Sequence, residues 1–190
     1  DSIRDVSSNQ TYTQSGSARG FGGKNFFQPI VDKTKVLTEE ELSKISNDEK
    51  LRIKIIENGI NKDMFNGKTI IPHDKGGSSD IDAGRLNNYY SEPEFFIDWS
   101  ESNVKRLKTL TIAQRYKNNG QKNPKKYYET TLAAIIRNPS YYFKNGITFS
   151  LIGLYSPTFR INSNSIFDVG GSSLFIKDEL KRTISIEYVL

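Results

Sequence analysis

Apolar residues in this chain fall into short runs that switch repeatedly between the spacing of a strand and that of a helix. Residues 1–24 carry little apolar content beyond Ile3, Val6 and Phe21, set among four Gly and five Ser. That is the composition of a flexible linker or arm. Asn25-Phe26-Phe27-Gln28-Pro29-Ile30-Val31 predicts a first strand with an edge-type proline. Thr38-Glu39-Glu40-Glu41 has the form of a capping box opening a helix, and Ser46-Asn47-Asp48-Glu49 repeats that form. Leu51, Ile53, Ile55 and Ile56 fit either period; the acidic first turn and the Asn58-Gly59 stop favour helix. Lys68-Thr69-Ile70-Ile71-Pro72 predicts a short strand, after which residues 74–90 lack periodicity and read as a long ordered loop. Phe95–Trp99 predicts another strand. Ser100 then caps a helix from about Glu101 to Lys117, where Val104, Leu107, Leu110 and Ala113 step by three and Asn118-Asn119-Gly120 ends the run. A second helix covers Tyr128–Ile136. Tyr141–Phe149, Ser156–Ile161, Ser165–Val169 and Ser173–Ile176 read as strands between Gly and Asn-Ser turns. The pattern as a whole predicts an α+β fold, with helices in the N-terminal half, a β-rich C-terminal half and no internal repeat.

Composition narrows this picture. A chain of 190 residues suits one domain, here 25–190, with the N-terminal arm beside it. The longest aliphatic run, Leu132–Ile136, falls far short of the roughly twenty residues of a membrane span. The polar N-terminus has no leader pattern, so a cytoplasmic protein without a membrane partner is expected. No cysteine is present, which removes disulfides and thiolate metal sites. The lone His73 reads as a loop residue rather than a metal ligand. Asp1 at one end, and Leu190 inside the alternation Ile184, Ile186, Tyr188, Leu190 at the other, give the look of a piece of a longer protein.

Charge changes the picture most. Between Lys105 and Phe167 stand eleven basic residues against one acid, Glu129, for a local net charge of +10 in a chain whose total is +5. So one-sided a field addresses a polyanion. Tyr116, Tyr127, Tyr128, Tyr141, Tyr142, Phe143, Thr148 and Ser150 are interleaved with the charges. That mixture suits nucleic acid, because phosphates can be gripped while bases are touched.

Four short motifs bear on chemistry. Gly67-Lys68-Thr69 resembles the end of a P-loop, but Lys62 stands where the cradle needs a glycine. Arg19-Gly20-Phe21-Gly22-Gly23 and Asn138-Pro139-Ser140-Tyr141 resemble the methyl-donor turn and the base-gripping turn of adenine amino-methyltransferases. The first follows a polar segment and the second has Ser where a second Pro belongs. Asp168 with Glu179 and Lys181 has the spacing of a magnesium-dependent nuclease centre, but with no Pro before Asp168 and a Gly-Gly soon after it, solvated surface charge is the better reading. Asp74-Lys75-Gly76-Gly77-Ser78-Ser79-Asp80 joins a longer arrangement. Its glycines let a backbone approach a ligand, Lys75, Ser78 and Ser79 can donate to phosphate, and Arg85, Asn87 and Asn88 suit purine edges.

Several blocks in order carry a family resemblance over roughly residues 66–178. They are Ile71–Asp80, Asn87-Asn88-Tyr89-Tyr90, Phe96-Ile97-Asp98-Trp99-Ser100, Arg137–Ser150, Phe159-Arg160 and Ile166–Phe175. This arrangement resembles the target-recognition domain of large adenine-specific DNA methyltransferases, the single-chain restriction-modification enzymes and the phage-defence methylases of BREX type. The chain departs from that pattern in having Phe149 where Trp is common. The resemblance implies a specificity module of a bacterial protein that binds double-stranded DNA and is joined in its parent chain to a catalytic methyltransferase domain. That domain, not this fragment, would use S-adenosylmethionine. The DNA-binding residues implied by charge, chemistry and resemblance together are Lys75, Ser78, Ser79, Arg85, Asn87, Lys105, Arg106, Lys108, Arg115, Lys125, Lys126, Tyr141, Tyr142, Lys144, Thr148, Ser150 and Arg160, with no catalytic or metal site. Arg160 also suits a structural ion pair. The alternative is a compact enzyme, either a methyltransferase built on Asn138–Tyr141 or a nuclease built on Asp168, Glu179 and Lys181. A protein-interaction domain with a basic face is a third reading.

Overall fold

A computed structural model describes residues 11–13, 17–19, 25–27, 30–74, 93, 95–109, 136, 138–150, 159–162, 164–167, 171–180 and 185. Helices and small sheets are both present, so the fold is α+β. Among the described residues no helix is long and apolar enough to cross a membrane. Compactness divides the chain into two units. The first comprises Asp1–Leu37, Lys54–Ile71 and Phe95–Pro139, the second Thr38–Ile53, Pro72–Glu94 and Ser140–Leu190.

In the first unit, β1 (Thr11–Thr13) pairs antiparallel with β5 (Phe95–Asp98), Tyr12 opposite Phe96. β2 (Ser17–Arg19) and β3 (Asn25–Phe27) pair with each other. Thus two stretches that composition marks as linker contribute strands, and of the strand read over Asn25–Val31, Asn25–Phe27 is β3 while residues 28 and 29 lie outside the described residues. β5 neighbours β4 (Ile70–Asp74), whose first two residues belong to this unit. Val31, Ile70 and Phe96 pack together with Val36 against them. The Trp99 ring is buried and its Nε1 donates to the Ile55 carbonyl at 3.0 Å, which satisfies its one polar atom inside an apolar setting. Ile60 and Ser100 form a parallel bridge: Ile60 N donates to Trp99 O and Glu101 N to Ile60 O. Gly59 makes this approach possible. Its φ is +86° and a Cβ there would lie 2.7 Å from the Glu101 backbone, so only glycine fits. α3 (Glu101–Thr109) follows, with Ser100 Oγ accepting from Asn103 N and with Val104 and Leu107 inward. The sequence extends this helix to Lys117, and that extension lies outside the described residues, as does the helix read over Tyr128–Ile136 except for Ile136, which is a bend.

The second unit opens with α1 (Glu39–Asn47), and the predicted capping box is present in full. Thr38 N donates to Glu41 Oε2 at 2.8 Å and Glu41 N to Thr38 Oγ1 at 3.3 Å. The second predicted box is displaced. Ser46 lies within α1, and Asp48 caps α2 (Glu49–Asn58), its Oδ1 accepting from Lys50 N and Leu51 N. A carboxylate at that position meets two orphan donors and the positive helix end together, which a serine two residues earlier cannot do. The ambiguous run at Leu51–Ile56 is helical, as the Asn58-Gly59 stop suggested.

Farther along, β6 (Gly146–Ser150) is the centre of a three-stranded antiparallel sheet. β7 (Phe159–Asn162) lies on one side, Thr148 opposite Arg160, and β9 (Gly171–Leu174) on the other, Thr148 opposite Ser173. His73 and Asp74 of β4 pair in parallel with Ile166 and Phe167 of β8. His73, expected in a loop, is therefore a buried strand residue: β4 runs two residues past Pro72, which comes early enough in the strand to leave that pairing intact. The strand expected over Tyr141–Phe149 is also shorter than its pattern. Pro139–Tyr141 form a 3-10 turn, and Phe143 is left-handed at φ +59°. Tyr142 and Phe143 both turn inward there, so burial rather than alternation sets the backbone before Gly146.

Candidate nucleic-acid interface

The predicted site residues divide into three groups. Lys75, Ser78, Ser79, Arg85, Asn87, Arg115, Lys125 and Lys126 lie outside the described residues, as do Asn88, Asp168 and Lys181. Glu179 is described and exposed. Of Ser150, only its place at the end of β6 is described.

A second group is held inside the second unit. Thr148 is fully buried and its Oγ1 lies 3.0 Å from Ser173 Oγ, a cross-strand hydroxyl pair. Tyr142 is buried edge-on against Phe167, ring centroids 5.3 Å apart. Arg160 is buried and its Nη2 is paired with Asp74 Oδ1. This is the structural ion pair that the sequence left open for Arg160. It joins β7 to the end of β4, one residue before the Gly-rich segment. A buried guanidinium requires such a partner, since desolvating it alone costs several kcal/mol.

The third group reaches the surface. On α3, Lys105 and Lys108 are exposed. Lys108 Nζ donates to the Glu57 carbonyl at the end of α2, where a cation complements the helix dipole. Arg106 is half-buried and donates from Nε and Nη2 to Asn103 Oδ1 at 3.2 and 2.9 Å, while Asn103 Nδ2 donates to Asp98 O. In the second unit Tyr141 is 45% exposed. Its ring stacks on Phe175 at 4.9 Å, and Lys144 Nζ lies 5.7 Å from the ring centroid.

Arg52 is the contributor that reading the sequence missed. It is 3% exposed. Nε and Nη2 donate to Glu49 Oε2 and Oε1 at 2.9 and 2.5 Å, and Nη1 donates to the carbonyls of Ser140 and Tyr142 at 2.8 and 3.1 Å. The only trace in the sequence is the Glu49-x-x-Arg52 spacing, one helical step that commonly marks a surface pair. Nothing local announces that the fork reaches residues 88 and 90 positions away.

The decoy motifs lie as follows. Gly20, Gly22 and Gly23 fall between β2 and β3, which pair as antiparallel neighbours. These glycines themselves lie outside the described residues. Asn138 is exposed at φ +49° and leads into the 3-10 turn. Among the described residues no three His, Cys, Asp or Glu side chains gather as a metal site. In comparisons with known proteins, no family model matches the chain and no curated protein is significantly similar to it.

Proposed function

We propose that this chain binds double-stranded DNA sequence-specifically, as the target-recognition part of an adenine-N6 DNA methyltransferase or restriction-modification enzyme. The observation that carries the reading is the net charge of +10 between Lys105 and Phe167. A charge excess of that size, with aromatic and small polar residues interleaved, suits phosphate grip combined with base contact. Lys105 and Lys108 on α3 and Lys144 before β6 supply cations at the surface. The ordered blocks that resemble a recognition domain narrow the polyanion to duplex DNA. In this reading, methyl transfer and S-adenosylmethionine belong to a catalytic domain of the parent protein. Base discrimination falls to the Lys75–Asn87 segment and to the turn and strand around Tyr141 and Ser150.

Counterion release supplies the test. Phosphate contacts make the logarithm of the binding constant fall linearly with the logarithm of salt, by roughly 0.9 per phosphate neutralised. Duplex binding measured by fluorescence anisotropy from about 50 to 200 mM salt is expected to weaken by at least tenfold. Lys105→Ala with Lys108→Ala should reduce the slope by about two. Salt-sensitive binding to heparin with none to duplex DNA would replace this reading by that of a protein-interaction domain.

A further inference from the structure

Tyr141 is presented to solvent by an unusually well-determined piece of backbone. The two carbonyls that Arg52 Nη1 grips, Ser140 O and Tyr142 O, belong to the residues on either side of it. The next two side chains, Tyr142 and Phe143, turn inward and are buried. Phe143 does so at φ +59°, a conformation that a bulky residue keeps only where its surroundings over-determine it. Phe143 N also donates to Ser165 O at 3.2 Å. The ring left outside is backed by Phe175, with planes 30° apart, and the Lys144 ammonium lies over it, 5.7 Å from its centroid. Gly146 allows this backing, because a Cβ there would lie 2.7 Å from Leu174 O and 2.8 Å from the Phe175 ring.

We propose that Tyr141 and Lys144 form a stacking site for an unstacked nucleobase and the phosphate next to it. The inference rests on the nucleic-acid reading above and changes its mode of contact. Thr148 and Arg160, candidates for reading base edges, are buried and engaged. The exposed group in their neighbourhood is an aromatic face, which stacks on any base. The Lys144 ammonium over the ring can turn to the neighbouring phosphate and leave its place over the ring to the base. The chain's net charge of +5 draws an anionic ligand in preference to an apolar peptide. Pre-orientation by Arg52 and Phe175 means that little side-chain freedom is lost on binding.

The 190-residue chain is titrated with a single-stranded thymine oligonucleotide bearing one 2-aminopurine, and separately with heparin, a polyanion without bases. Binding is expected to change the 2-aminopurine emission. Tyr141→Ala and Tyr141→Leu should each weaken the oligonucleotide about 5- to 150-fold while leaving heparin affinity unchanged, and Tyr141→Trp should retain the wild-type affinity. If the wild type binds but Tyr141→Ala and Tyr141→Leu bind equally well without altered emission, the stacking site is overturned and the nucleic-acid reading stands. Parallel loss of heparin and oligonucleotide binding in both variants also overturns it, since the ring would then act only through the fold. Absence of any nucleic-acid binding by the wild type overturns both.

Discussion

The interiors of the two units are built on different principles. In the first, the buried side chains among the described residues are Val31, Leu37, Ile55, Ile56, Ile60, Ile70, Ile71, Phe96, Ile97, Trp99, Val104 and Leu107, with Asn103 as the sole polar member. In the second, Arg52, His73, Thr148, Arg160, Asn162, Asn164 and Ser165 are buried alongside Leu42, Ile45, Tyr142, Phe143, Ile147 and Ile166. Hydrophobic burial is non-directional, so the first interior tolerates any apolar shape of the right volume. Arg52, Thr148, Arg160 and Ser165 of the second interior meet partners at defined distances and angles, so these groups specify where its backbone goes. An interior of that kind suits a unit whose task is to place particular side chains at a surface.

The contrast can be broken most forcefully at the Arg160–Asp74 pair. Arg160→Met keeps the aliphatic bulk but takes the guanidinium from beside a carboxylate whose side chain is 8% exposed, and about 3–5 kcal/mol of stability should be lost, read from urea unfolding. Adding Asp74→Leu should recover most of that loss. If the double variant is no better than the single one, the pair is not what organises β7 against β4. A smaller effect is expected at Thr148→Val, which is nearly isosteric yet removes the hydroxyl facing Ser173, at about 1–2 kcal/mol. Leu107→Met in the first unit conserves volume and should cost least, below about 1 kcal/mol in the same assay. A ranking with Leu107→Met above Thr148→Val would show that both interiors are governed by packing alone.

Local signals were legible where the chemistry is local. The Thr38–Glu41 box, the helical run ending at Gly59 and the Ser100 cap all depend on residues within one turn of one another, and each stands where the sequence put it. Apart from the Ser46–Glu49 box, whose cap is Asp48, the misreadings arose where distant residues intervene. The strand read over Tyr141–Phe149 starts only at Gly146, because inward burial of Tyr142 and Phe143 and the Arg52 fork turn the residues before it. His73 looked like a loop residue because it falls between the run ending at Pro72 and the aperiodic stretch 74–90, and its pairing with Ile166 lies 93 positions away. The candidate site was legible as chemistry: charge, aromatic interleaving and ordered motifs were all visible, with Tyr141 and Lys144 among the residues singled out. Which of those residues face outward was not. Thr148 and Lys144 are equally polar in the sequence, yet one is sealed under a cross-strand hydroxyl pair and the other stands beside an exposed ring.

By itself the sequence determined the α+β class, the Thr38 and Ser100 helix caps, the helix stop at Asn58-Gly59 and the concentration of positive charge between Lys105 and Phe167. Each depends on propensity, short-range hydrogen bonding or composition, all of which act within a few residues. Only the tertiary structure decided that Arg52 holds the Tyr141 turn, that Arg160 is bound to Asp74, and that Tyr141 is left exposed on Phe175. A buried guanidinium takes its partners from whatever carbonyls and carboxylates the fold brings within about 3 Å, and no spacing along the chain encodes that distance.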